Sequence, residues 1–141
     1  MKTVAKLTLD DARIMMAAAE QKAQEIGVDM DIAIVDDGGN LLMFQRMDGA
    51  RITSIQIAID KAFTAAAARK STRAYGETSG PGQPTFGLNV SHQGRFMIVA
   101  GGLPVFINSD IVAGIGCSSG SPDQDEDVAQ AGIDALDASL V

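Results

Sequence analysis

The sequence predicts an α+β domain, a five-stranded antiparallel sheet with its helices packed on one face and the other face open. Three features carry this expectation. Apolar residues recur at helical spacing in three places, short β-compatible runs lie between them, and the spacers joining successive strands are too short for parallel crossovers. The predicted order is helix, strand, strand, helix, loop, three strands, helix, in one domain over residues 1–141.

Leu9, Ala12, Met16, Ala19, Ala23 and Ile26 fall on one stripe of a helix spanning about residues 8–26. Thr8 caps it, Asp11 favours its positive end, and Gly27 supplies the left-handed stop. Two strands follow, Met30 to Val35 and Leu41 to Met47, with Asp36-Asp37-Gly38-Gly39-Asn40 reversing the chain between them. Alternation puts Met30, Ile32 and Ile34 on one face and Asp31, Ala33 and Val35 on the other.

Helical spacing returns at Ile52, Ile55, Ile59, Ala62, Phe63 and Ala66, predicting a helix to about Arg69. Its alanine run, Ala65 to Ala68, reads first as good helix propensity and second as room for a close neighbour. From Gly76 to Pro84 the Gly and Pro density predicts a loop. Phe96–Ala100, Pro104–Ile107 and Ile111–Gly116 read as three strands of a meander. The last helix opens on Ser121, Pro122 and Gln124, a capping box with Pro at the first position, and Val128, Ala131, Ala135 and Ala138 form its modest apolar face. Because Val35, Met43 and Val99 would face outward, the uncovered side of the sheet is expected to be buried by self-association.

Eleven Lys and Arg against 18 Asp and Glu leave a net charge of −7. An acidic chain does not track a phosphate backbone, so no nucleic-acid partner is expected. Residues 1–9 hold no apolar run of signal-peptide length, and nothing later approaches a membrane span. A cytoplasmic protein with no membrane partner is the expectation. The single Cys117 reads as a buried thiol.

His92 is the only imidazole, and it sits in the polar stretch Asn89 to Arg95. It reads as a general base, a haem ligand or a plain surface histidine. Arg46, Arg51, Arg69, Lys70 and Arg73, with Lys61 and Arg95, gather most of the positive charge and could bind carboxylates or phosphates. A solvated helix end is the competing account. Gly101-Gly102 and Gly114-x-Gly116 are too short for phosphate cradles and read as relief where another backbone comes close.

The segments LTLDDA, IAIVDDGGNLLMFQRMDGA, IAIDKAFTAA, AGGLPVFI and IVAGIGCSSGSPDQDEDVAQAG, in that order, resemble the GlcG and HbpS family, also called DUF336. The resemblance covers nearly the whole chain. It implies a profilin-like α/β domain that assembles into homo-oligomers, from dimer up to octamer, and in several members binds haem. It also implies that the threonine of the KAFT segment, here Lys61-Ala62-Phe63-Thr64, can face the iron, with His92 as the other candidate ligand. Haem needs an apolar slot, an axial donor and a cation for its propionates. Phe63 with Met43 and Met47, His92 or Thr64, and Arg69 or Arg73 could supply them. The function expected is therefore a haem-binding or metabolite-binding accessory protein. The alternative is an acid/base enzyme using His92 with Thr64 or an arginine in an intersubunit pocket.

Overall fold

The computed structural model describes all residues, 1–141, and builds four helices and four strands. In chain order these are α1 (Leu9–Ile26), β1 (Asp31–Asp36), β2 (Leu41–Arg46), α2 (Ser54–Ala68), α3 (Thr72–Ser79), β3 (Gly102–Ile107), β4 (Asp110–Ser118) and α4 (Pro122–Ser139). Two single-turn 3₁₀ segments, Leu88–Val90 and His92–Gly94, lie between α3 and β3. The strands form one antiparallel sheet in the order β2-β1-β4-β3. No helix is long and apolar enough to cross a membrane.

The helix ends follow the chemistry written in the sequence. Thr8 Oγ1 accepts from the Asp11 amide at 3.1 Å and the Asp11 carboxylate accepts from the Thr8 amide at 2.9 Å, while Gly27 closes α1 at φ 71°. At α4, Ser121 and Gln124 exchange the same pair of bonds, at 3.2 and 2.9 Å, with Pro122 in the first turn.

Alternation in β1 sorts the two faces as expected. Met30, Ile32 and Ile34 join Val112, Ile115 and Cys117 of the sheet with Met15, Met16, Val128 and Leu136 from α1 and α4 in the main core. Each large aliphatic side chain buried there contributes roughly 1.5–3 kcal/mol of transfer free energy.

The other face is where the expectation fails. Helix α2 lies across it, so Val35 is buried within the chain against Ala58, Ala62 and Ala66, with Ala33 beside it. Helices therefore cover both faces, and self-association is not needed to shield the sheet. What permits this is the pairing of alanine on the helix with glycine on the sheet. A Cβ on Gly116 would overlap the Ala58 carbonyl, one on Gly114 the Ala62 carbonyl, and one on Gly102 the Lys61 carbonyl. Accordingly α2 turns its small face inward. Ile55, Ile59 and Phe63 remain half-exposed, and Ile52 is exposed. Helix α4 is rotated too, burying Asp125, Val128, Ala129, Gly132 and Leu136 while Ala138 is exposed.

The sheet has four strands because Phe96–Ala100 is a strap and not a strand. Its Met97 amide donates to the Thr64 hydroxyl at 2.8 Å, so that group is held by a side chain of α2 and no ladder partner. The β-branched pair Ile98-Val99 fits strand propensity, but tertiary contact decides its course. Part of the expected loop is likewise helical. Ser71 Oγ accepts from the Ala74 amide, Tyr75 is buried, and α3 continues to Ser79. Gly76 belongs inside that helix because the Ile98 carbonyl of the strap lies where its Cβ would be.

Candidate functional site

One turn of α2 carries Asp60, Phe63 and Thr64 at spacings of three and four, which puts them on a common face beneath the strap. Thr64 is fully buried, and its hydroxyl lies 2.7 Å from the Asp60 carbonyl and 3.2 Å from that of Arg95 while accepting from Met97. It pins the strap to the helix, directing its one proton toward these carbonyls and accepting from the Met97 amide. Asp60 Oδ1 accepts from Arg95 Nε at 3.1 Å and from Gln56 at 2.9 Å. The Arg95 guanidinium lies 3.8 Å from the centre of the Phe63 ring.

Aromatic rings extend this surface. Phe96 stands 5.6 Å from Phe63, 5.4 Å from Tyr75 and 4.5 Å from the His92 ring, which meets it edge-on. Burial pushes the Tyr75 hydroxyl above its ordinary range. His92 itself is exposed.

The backbone at His92 is held in an unusual form. His92, Gln93 and Gly94 follow one another at φ 54°, 59° and 78°, all left-handed, and only the glycine adopts that region freely. The two others cost roughly 1 kcal/mol or more each, a strain of the kind that accumulates at ligand-contacting positions.

This turn also orients the imidazole. Ser91 Oγ lies 2.8 Å from the Leu88 carbonyl and 3.2 Å from His92 Nδ1. Nδ1 is turned toward Ser91, and Nε2 has no partner within the protein.

The structure brings Phe63, Thr64 and His92 together and adds Arg95, Asp60 and Phe96. It places the remaining expected residues elsewhere. Lys61 leaves the helix on the opposite side, is 2% exposed, and donates to Asp125 and to the Cys117 carbonyl, both at 2.9 Å. The second Asp125 oxygen accepts from the Gly120 amide, and burial raises its pKa against the pull of Lys61. Burial likewise drives the Cys117 thiol far up, leaving it inert. Arg73 is taken by Asp123 and Glu126 of α4. Arg69 ends α2 at φ 57° and lines a cleft with Lys2, Asp37 and Asp110. Met43 and Met47 pack against the main core. The basic residues thus do not form one cluster.

Asp60 and Phe96 join the site through the fold, beyond the residues that the sequence points to. Asp60 stands three positions before Phe63 and so shares its face, which helical spacing alone could have revealed. Phe96 was hidden by being read as part of a strand.

Fold and site together define the class: a small four-stranded α+β sandwich in which helix α2 and the segment before β3 form an aromatic, His- and Arg-bearing surface. Within that class the chain belongs to the HbpS-like family, described as haem-degrading protein HbpS-like, whose model matches residues 7–134. It is 40% identical over 133 residues to an uncharacterised 15.0 kDa protein from the dhaT-dhaS intergenic region of Citrobacter freundii, 94% of each chain being covered. Among solved structures, the DUF336 protein ORFY of Klebsiella pneumoniae superposes with a TM-score of 0.95 at 38% identity, over 98% of this chain and 95% of that one. A PduOC:heme complex superposes with a TM-score of 0.90 at 32% identity, over 93% and 95%.

Proposed function

We propose that this chain is a cytoplasmic haem-binding accessory protein that acts as a homo-oligomer, with the tetrapyrrole lying on the Phe63, Phe96 and His92 surface. The observation that carries the reading is the exposed ring of the only imidazole, set 4.5 Å from Phe96 with Nε2 free of any partner in the protein. A structurally similar protein is described as a heme complex, in line with this assignment.

The residues fit the group in chemistry. Phe63 and Phe96 offer apolar faces, and His92 offers the axial nitrogen. Thr64 serves in this reading as the pin that holds the strap, because its hydroxyl already has partners. When bound, the iron supplies axial-ligand and redox chemistry. The chain's own groups bind the macrocycle, orient it and hold the strap in place.

The single chain offers only half of a slot. Its apolar pocket between Leu7, Ile107, Val112 and Leu136 is about 110 Å³, below the few hundred that a ligand of this size occupies. A larger cleft of about 340 Å³ is lined mainly by polar residues such as Glu20, Asp29 and Arg46, away from His92. A second copy over the exposed strap supplies the missing wall.

Titration of purified protein with haemin tests the reading. A saturable Soret shift is expected, and His92→Ala should move the band position and weaken binding by roughly tenfold or more, the loss of one coordinating ligand. Absence of any saturable shift at micromolar haemin would sink it.

A further inference from the structure

Arg95 is mounted with more care than a solvated ion pair requires. Asp60, Phe63 and Thr64, all from one turn of α2, contact it. The Asp60 carboxylate takes its Nε, the Phe63 ring lies against its guanidinium, and the Thr64 hydroxyl reaches its backbone carbonyl. Thr64 then holds Met97 two residues further on, which fixes the strap on the far side as well. Asp60 is itself steadied by Gln56 and is nearly buried.

What this arrangement leaves free is the outer end of the side chain. Only Nε is engaged with the protein, so the two terminal nitrogens keep their donors in a planar fork suited to a carboxylate. They are partly exposed, on the same surface as the His92 and Phe96 rings. Lys61 is closed in by Asp125, and Arg73 has a terminal nitrogen taken by Asp123, whereas Asp60 takes only the Nε of Arg95.

We propose that Arg95, positioned by Asp60 and Phe63, receives the carboxylate of a flat aromatic ligand, which on the haem reading above is a propionate. The inference rests on that reading but assigns a separate job. His92 addresses the centre of the macrocycle and Arg95 its edge. Asp60 is a positioning residue, since it acts only through the arginine.

Haemin and its dimethyl ester separate the two jobs, because the ester keeps the iron and the ring and loses both anionic carboxylates. Wild-type protein is expected to bind haemin roughly tenfold to a hundredfold more tightly than the ester, the value of a charged hydrogen-bonded pair. Arg95→Gln should remove most of that preference by weakening haemin binding while leaving the ester's affinity nearly unchanged. Asp60→Asn should erode the preference in part, and raised salt should weaken haemin binding in wild type more than in Arg95→Gln. Circular dichroism and the melting temperature of each variant check that the fold persists, and Arg95→Lys, which keeps charge without the fork, should recover only part of the loss.

Equal weakening of both ligands in Arg95→Gln, or an unchanged preference, would overturn the assignment while leaving haem binding intact. Failure of wild type to bind either compound would instead remove the haem reading itself and this inference with it.

Discussion

Asp31 is a residue whose cost is visible in its surroundings. It lies fully buried at the start of β1, one carboxylate oxygen accepts from Ser119 at 2.8 Å, and the other has no partner. Burial raises its pKa, opposed by the Ser119 bond and by Arg46 and Arg51. The folded protein therefore binds this proton more tightly than the unfolded chain does. Stability from this group is complete below the ordinary aspartate range near 3.9 and falls as pH rises through the raised folded value. Asp31→Asn keeps the shape and the acceptor for Ser119 but removes the ionisation. It should raise the melting temperature by a few degrees at pH 7 and give no gain near pH 3, as read by thermal melts across pH. A variant no more stable at pH 7 would show that the arginines already compensate the charge. The buried Lys61 and Asp125 stand differently, since each has the other, and the pair ties α2 to α4 through the core.

Between elements, the contact that decides the architecture is α2 on β4. Alanine faces glycine there, and the separation leaves no room for a methyl group. Gly116→Ala should destabilise the protein by about 1–3 kcal/mol or more, because the obstacle is the Ala58 carbonyl of a helix backbone and not a side chain that can turn away. Gly80→Ala makes the control. Its φ of −78° suits any residue and no atom lies closer than 4.0 Å to the added carbon, so urea unfolding should find it within about 0.5 kcal/mol of wild type. Equal effects at the two positions would refute close packing as the cause. This interface also explains what could be read from the chain. The caps at Thr8 and Ser121, the hairpin at Asp36 to Asn40 and the β1 alternation are local signals, and local chemistry decides them. The inward face of α2 is not local. Isoleucines carry the stronger hydrophobic signal, but only small side chains fit against Gly114 and Gly116, a fact that belongs to two segments some fifty residues apart. The site shows the same division: Phe63, Thr64 and His92 were legible as residue types, whereas Arg95 gained its role from the strap's route over α2, which strand propensity concealed.

For the molecule as a whole, the question is what covers the segment that crosses α2. Phe86 and Val90 are 66% and 75% exposed, and Leu88, Ile98 and Val99 are exposed as well, all within fourteen residues that also hold His92 and Arg95. Single exposed apolar side chains are ordinary, but a run of them beside a strained turn has the composition of an interface. The sheet cannot be the reason for assembly, since α2 already covers its second face. If these fourteen residues form the seam, a charge among them should separate the subunits without touching the core. Val90→Asp combined with Phe86→Ser is expected to sediment as a monomer at concentrations where wild type sediments as a dimer or larger, with unchanged circular dichroism. The same variant should bind haemin more weakly although it retains His92, Phe63 and Arg95, because the second wall of the slot has been lost. A wild-type chain that sediments as a monomer at micromolar concentration would refute the seam. An assembled variant with full haemin affinity would place both the interface and the ligand elsewhere on the surface.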